Sequence, residues 1–309
     1  MLTRLFVVAL YVLWLSASSA PVSGLPAADD APASAAPKRG FMWQVSKGGR
    51  SAYLLGTIHV GRPEFYPLSP SYLARLREAD VIAVEADMSE AARVAPLVQK
   101  LAYYPDGAPG LDERLPALRP RLEKFAVREG LRPEVLWRMK PWMAANTLVV
   151  LEAERIGFST AYATESFLFD FVRQTGKPLV QIESIEDQLR LFDAAPEAVQ
   201  AAYLKQALDS IDSGANQEEV RQLVDAWSRR DSAEMERLIA RFRAADGVAE
   251  RFIIGKVVEG RHPHMIEAIE RYVASGRLYV VAIGSLHYFG PSGLLAQLRQ
   301  RGYTIAPVE

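Results

Sequence analysis

Residues 54–61 read LLGTIHVG, and residues 281–290 read VAIGSLHYFG. Each is an apolar run that breaks at a glycine and reaches a histidine three positions later, Gly56 to His59 and Gly284 to His287. The chain contains only 4 histidines, so two of them share one local pattern near opposite ends of the sequence. Short apolar runs bounded by glycine read as strands. Glycine lets the backbone turn sharply or lets another segment come close, and the residue three positions on can then swing back over the sheet edge. The pattern predicts two strands whose ends deliver imidazoles, with His59 and His287 neighbours in the fold.

Working outward, FMWQVSKGGRSAYLLGTIHV (41–60) reads as two strands around a Gly48-Gly49 turn. Ser69-Pro70 opens a helix, with serine as N-cap and proline in the first turn. DVIAVEAD (80–87) is a short buried-type strand reaching Glu85 and Asp87, and residues 89–156 are largely helical in pattern. A helix over SFLFDFVRQT ends at Gly176-Lys177-Pro178, and strand LVQIE (179–183) follows, ending on Glu183. Ser184 with Asp187 marks the next helix start, and helix follows helix to about 275. RLYVVAI is then a strand, GSLHYFGPSG a loop, LLAQLRQR a helix and YTIAPV a last strand. Strands separated by helices argue an α/β (mixed α+β) fold: a central mixed sheet with flanking helices and a helical insertion in the middle of the chain. These signals leave the strand order open.

The chain has 309 residues, 50% hydrophobic and 24% charged, enough apolar material for a sizeable core. A formal net charge of −1 provides no basic field for nucleic acid. Arg4, the apolar run LFVVALYVLWL (5–15) and SASSA (16–20) form the pattern of a signal peptide, expected over residues 1–24. The run is too short to span a bilayer comfortably, so membrane contact is expected only if this segment stays uncleaved. Residues 25–40, rich in Ala, Pro and Ser, read as a disordered linker, and 41–309 as one domain of an exported, periplasmic or secreted protein. The absence of cysteine excludes disulfides, thiolate metal sites and a cysteine nucleophile.

The chemistry gathers at the strand ends: His59, Glu85, Glu183 and His287 each follow an apolar run, and ligands of open α/β sheets bind beyond the carboxyl ends of strands. Two imidazoles with carboxylates suit a divalent metal such as Mn, Fe, Co or Zn, which activates water or polarises a carbonyl while a nearby Glu acts as base. Arg261 is placed to pair with a carboxylate or an anionic substrate group. In GRHPHM (260–265), His262 and His264 offer a second cluster, but a helix start at His264 is the preferred reading. GPSG (290–293) precedes the last helix and offers N–H groups near His287. The chain has no GxGxxG, P-loop, HExxH or GxSxG motif.

Taken together, YLLGTIHVG, DVIAVEAD, a late Arg-His element before a helix and VAIGSLHYFGPSGLLAQLRQRGYTI resemble the TraB/GumN family, which also takes in PrgY and the Tiki-type metalloproteases. The resemblance covers about residues 41–309. It implies a mixed α/β domain and a divalent-metal hydrolase acting on a peptide or another small exported substrate. It carries the metal-binding roles onto His59, His287 and Glu85. Glu165, in ATES, stands where the family has an aspartate, and Glu165 or Glu183 is expected to complete the site or act as base, with Arg261 orienting the substrate. The rival expectation is a non-catalytic periplasmic module that binds a peptide or saccharide over the helical region 184–275.

Overall fold

The computed structural model describes residues 39–309. The expected signal peptide and residues 25–38 of the expected linker lie outside the described residues. Six strands form one mixed sheet: β1 (Phe41–Lys47), β2 (Arg50–Thr57), β3 (Val81–Val84), β4 (Leu179–Gln181), β5 (Tyr279–Gly284) and β6 (Thr304–Pro307), in the order β4-β3-β5-β2-β1-β6. The hairpin β1–β2 closes on Gly48 and Gly49, whose φ values of 59° and 76° are those a two-residue hairpin turn requires. β6 pairs antiparallel with β1 at one edge.

The other half is parallel. β5 lies between β2 and β3, and β4 continues beyond β3. The parallel core strands are buried along their lengths, as β3 and β5 show at every position, which explains their uninterrupted apolar sequence. Because β2, β5, β3 and β4 run the same way, their carboxyl ends finish at one edge of the sheet.

Helices fill the connections. Pro70–Glu78 begins at Ser69, whose hydroxyl accepts the Tyr72 N–H. Between β3 and β4 come several helices, among them the buried Pro141–Arg155 and Thr164–Thr175. Between β4 and β5 lies the expected helical run, beginning Ile185–Asp193, Glu197–Asp212 and Ala215–Ser228. It docks on the first helical layer; the Tyr203 hydroxyl donates to Asn146 Oδ1 at 2.7 Å. The run ends in a wide π-turn, Ile253–Val258, then the tight turn Glu259–Arg261 and helix His262–Ala274. Among the described residues no helix is long and apolar enough to cross a membrane.

Candidate functional site

The parallel register sets Thr57 opposite Gly284, so the two Gly-x-x-His frames stand side by side on adjacent strands. Their glycines do different work. A Cβ on Gly56 would fall 2.7 Å from Ser285 Oγ, so this glycine admits the turn that follows β5. A Cβ on Gly284 would find open but surrounded space, with Glu85 Oε2 and His287 Cδ2 at 3.5 Å and His59 Nε2 at 3.6 Å. Three side chains delivered by three neighbouring strands thus converge over one glycine.

Each is held from behind. His59 Nδ1 lies 3.0 Å from Glu165 Oε1, and Glu165 sits in the first turn of helix Thr164–Thr175. The helix start is tied to the end of β2, since Thr164 Oγ1 accepts the Ile58 N–H at 3.1 Å. Glu85, 1% exposed, accepts the Gly284 N–H on Oε2 at 3.0 Å and the Arg261 guanidinium on Oε1. Arg261 also reaches Glu183, placing Nε at 2.8 Å and Nη2 at 2.5 Å from Oε2. Gln188 Nε2 donates to Glu85 Oε1 and Glu183 Oε2, both at 3.3 Å. All of these contacts to Glu183 fall on Oε2.

The electrostatics follow from burial and pairing. Burial would raise the Glu85 carboxyl, but Arg261, then His287 and His59, bring it down to about 2. Burial opposes charge on His59 as well, yet Glu165 beside it raises the imidazole above its ordinary value, and Glu165 is lowered in return. His287 is pushed well below its ordinary value by burial, which outweighs Glu85. Burial between Glu85 and Glu183 leaves Arg261 charged, its pKa raised because the two carboxylates outweigh desolvation.

The structure therefore brings His59, Glu85, Glu165, Glu183, Arg261 and His287 to one sheet edge. It places Glu165 behind His59 as an orienting carboxylate, and Glu183 one salt bridge away from Glu85. His262 belongs to this cluster too, which sequence reasoning missed: its Nε2 lies 3.2 Å from His287 Nδ1 and its Nδ1 2.8 Å from the Ser292 carbonyl. His264 turns elsewhere, to the Ile182 carbonyl at 2.9 Å, so the two form no cluster of their own. The helix begins at His262, two residues before the expected start. The GPSG loop was expected to present N–H groups near His287; it presents the Ser292 carbonyl to His262 instead, and its Gly290 N–H is taken by Glu236 Oε2 at 3.0 Å.

A cavity of about 670 Å³ opens beside the cluster, between helix Ile185–Asp193 and the π-turn. Glu183, Gln188 and Arg261 line it on one side, with Leu191, Ala194, Phe252, Lys256 and His264 around the rest. This is the size and mixed character of a small-molecule or side-chain site. Asp87, the other strand-end acid, binds the Ser89 N–H and hydroxyl and is not part of the cluster.

Comparison with known proteins meets this geometry. The chain is 24% identical over 253 residues to YbaP of Shigella flexneri and to YbaP of Escherichia coli K12, each described as an uncharacterized protein. Each alignment covers 82% of this chain and 89% of the relative. No solved structure matches. The model of the TraB/PrgY/gumN family matches residues 41–307, a span that contains every strand-end residue described above, and the chain belongs to that family.

Proposed function

We propose that the protein is an exported, divalent-metal-dependent hydrolase of peptide substrates, with its centre over Gly284. The observation that carries this reading is the convergence of His59 Nε2, Glu85 Oε2 and the His287 ring, nearest through Cδ2, on the space a Gly284 side chain would fill. Among the described residues no group of three or more His, Asp or Glu side chains is arranged to hold a metal ion. The donor set nonetheless fits one in kind: two imidazoles and a carboxylate, soft enough for Mn, Fe, Co or Zn, around a cradle kept open by glycine. His59 adds a second mark of such a ligand, because its other ring nitrogen is held by a carboxylate, the arrangement that fixes tautomer and ring direction.

His59, His287 and Glu85 would hold the cation, which supplies a Lewis acid and an acidified water when bound. Glu183, at the boundary between cluster and cavity, would accept the water's proton on Oε1 while Arg261 holds the carboxylate in place through Oε2. The cavity would seat a substrate side chain against Leu191 and Phe252. Export rests on the sequence pattern of residues 1–24.

The rival reading, a binding module without catalysis, draws on the pairing of both Glu85 and Glu183 with one guanidinium. One experiment separates them: elemental analysis of the untagged protein, then digestion of a defined peptide library with cleavage-site mapping. The hydrolase reading expects roughly one equivalent of a transition metal, cleavage abolished by chelator, and loss of both metal and cleavage in His59→Ala. A protein that takes up no Mn, Fe, Co or Zn and cleaves nothing would overturn it.

A further inference from the structure

The cavity beside the cluster has two facing walls. On one, Phe252, Lys256 and Gly260 follow at four-residue spacing along the turns that lead to Arg261. On the other, Gln188, Leu191 and Ala195 repeat at the three- and four-residue spacing of one helix face, along Ile185–Asp193 and just past it. Leu191, Ala194, Ala195, Pro196 and Phe252 make much of the lining apolar.

Nearly every charged group in that lining already has a partner. Arg261 is committed to Glu85, Glu183 and the Val257 carbonyl. Arg190 clasps Glu186 Oε1 through Nε at 3.0 Å and Nη2 at 2.5 Å. Asp187 accepts the Ser184 hydroxyl at 2.6 Å as part of the helix cap. Lys256 differs: among the described residues no acid or carbonyl pairs with its ammonium. Its place in the π-turn explains its direction, because Ile253, Ile254, Val257 and Val258 are buried and Gly255 and Lys256 are left outward. An ammonium beside an apolar wall suits an anion carried on an apolar body. A lysine acts as a point charge, and one ammonium matches one carboxylate. A phosphate, with close to two charges, calls for more donors than this wall supplies.

We propose that the cavity selects ligands in which a carboxylate adjoins an apolar residue, Lys256 pairing with the carboxylate while Leu191 and Phe252 pack the apolar side chain. As a statement about substrate this rests on the function proposed above; as a statement about binding it does not. The carboxylate has two sources, the free C-terminus of a peptide or an acidic side chain next to an apolar one.

Titration of the full-length protein followed by NMR, with chelator present to prevent turnover, separates these with three probes. They are acetyl-Ala-Leu-Leu as the free acid, the same peptide as its C-terminal amide, and acetyl-Ala-Leu-Glu as its C-terminal amide. The wild type is expected to bind the free acid about fivefold tighter than its amide, the worth of one pair at an exposed lysine. Lys256→Gln should abolish that difference and Lys256→Glu should invert it, with unfolding midpoints unchanged because the position is exposed. Added salt should shrink the preference. A glutamate probe bound like the free acid supports a site that also reads acidic side chains, and one bound like the amide supports a site for chain ends. Equal binding of free acid and amide by the wild type overturns the proposal. So does a preference that survives in Lys256→Gln, or a wild type that binds none of the probes. Cleavage of the same probes with Mn²⁺ or Zn²⁺ present tests the hydrolase reading separately. A carboxylate preference without cleavage leaves this site standing and counts against hydrolysis; cleavage without the preference does the reverse.

Discussion

Glu85 is where burial and charge are most directly opposed. A carboxyl at 1% exposure would ordinarily stay protonated to high pH, yet the guanidinium of Arg261 and the two imidazoles hold it ionised, with its pKa at about 2 against an ordinary 4.5. The folded value is the depressed one, so its contribution to stability is present above pH 4.5 and lost as pH falls toward 2. A shift of this size is worth about 3 kcal/mol. Glu85→Gln keeps the size and an acceptor for the Gly284 N–H but removes the charge. Urea unfolding of both proteins should show a stability gap about 3 kcal/mol wider at pH 6 than at pH 2. A gap independent of pH would mean that Arg261 does not stabilise the ionised form.

At the scale of elements, the decisive feature is that β5, the last of the parallel strands along the chain, inserts between β2 and β3. This puts the second Gly-x-x-His frame beside the first, and the two glycines then invite opposite outcomes. Gly56→Ala meets Ser285 Oγ at 2.7 Å and Phe41 Cβ at 3.3 Å, so overpacking should cost about 1–3 kcal/mol in urea unfolding. Gly284→Ala meets only ordinary contacts at 3.5–3.6 Å, so stability should stay within about 1 kcal/mol of wild type. Its methyl would occupy the space the proposed ligands face, and cation affinity by titration should fall more than tenfold. The reverse pattern would refute the assignment of the two glycines. The strands themselves were legible in the sequence because buried parallel strands are unbroken apolar runs between glycines and polar ends. Their order was not, because insertion of β5 is decided by packing between segments remote in the chain. His262 escaped for a local reason: written as His-Pro-His it suggests a pair, but residues two apart on a helix point roughly 200° from one another. One side chain turns to His287 and the other to the Ile182 carbonyl.

For the whole molecule, the helical insertion between β4 and β5 does two things: it supplies Arg261 and His262 to the sheet edge, and it walls the cavity that opens there. The π-turn Ile253–Val258 leads into the tight turn that ends on Arg261, and π-turns of this kind recur at functional sites. Arg261 is anchored to this turn through the Val257 carbonyl at 3.3 Å while its far end holds Glu85 and Glu183. Glu183 is thus shared by the buried cluster and the cavity, so under the proposed function the cavity would be the route by which substrate reaches the cluster. Ala194 lines that cavity, is exposed and caps helix Ile185–Asp193, so a large side chain there costs little in folding. Ala194→Trp should fill part of the 670 Å³ without touching His59, His287 or Glu85. Its cation affinity and unfolding midpoint should match wild type, while kcat/KM on a cleaved library peptide should drop at least tenfold, about 1.4 kcal/mol in transition-state binding. Wild-type hydrolysis by this variant would show that substrate approaches from elsewhere, and a parallel loss of cation affinity would show that the cavity and the cluster are not separable.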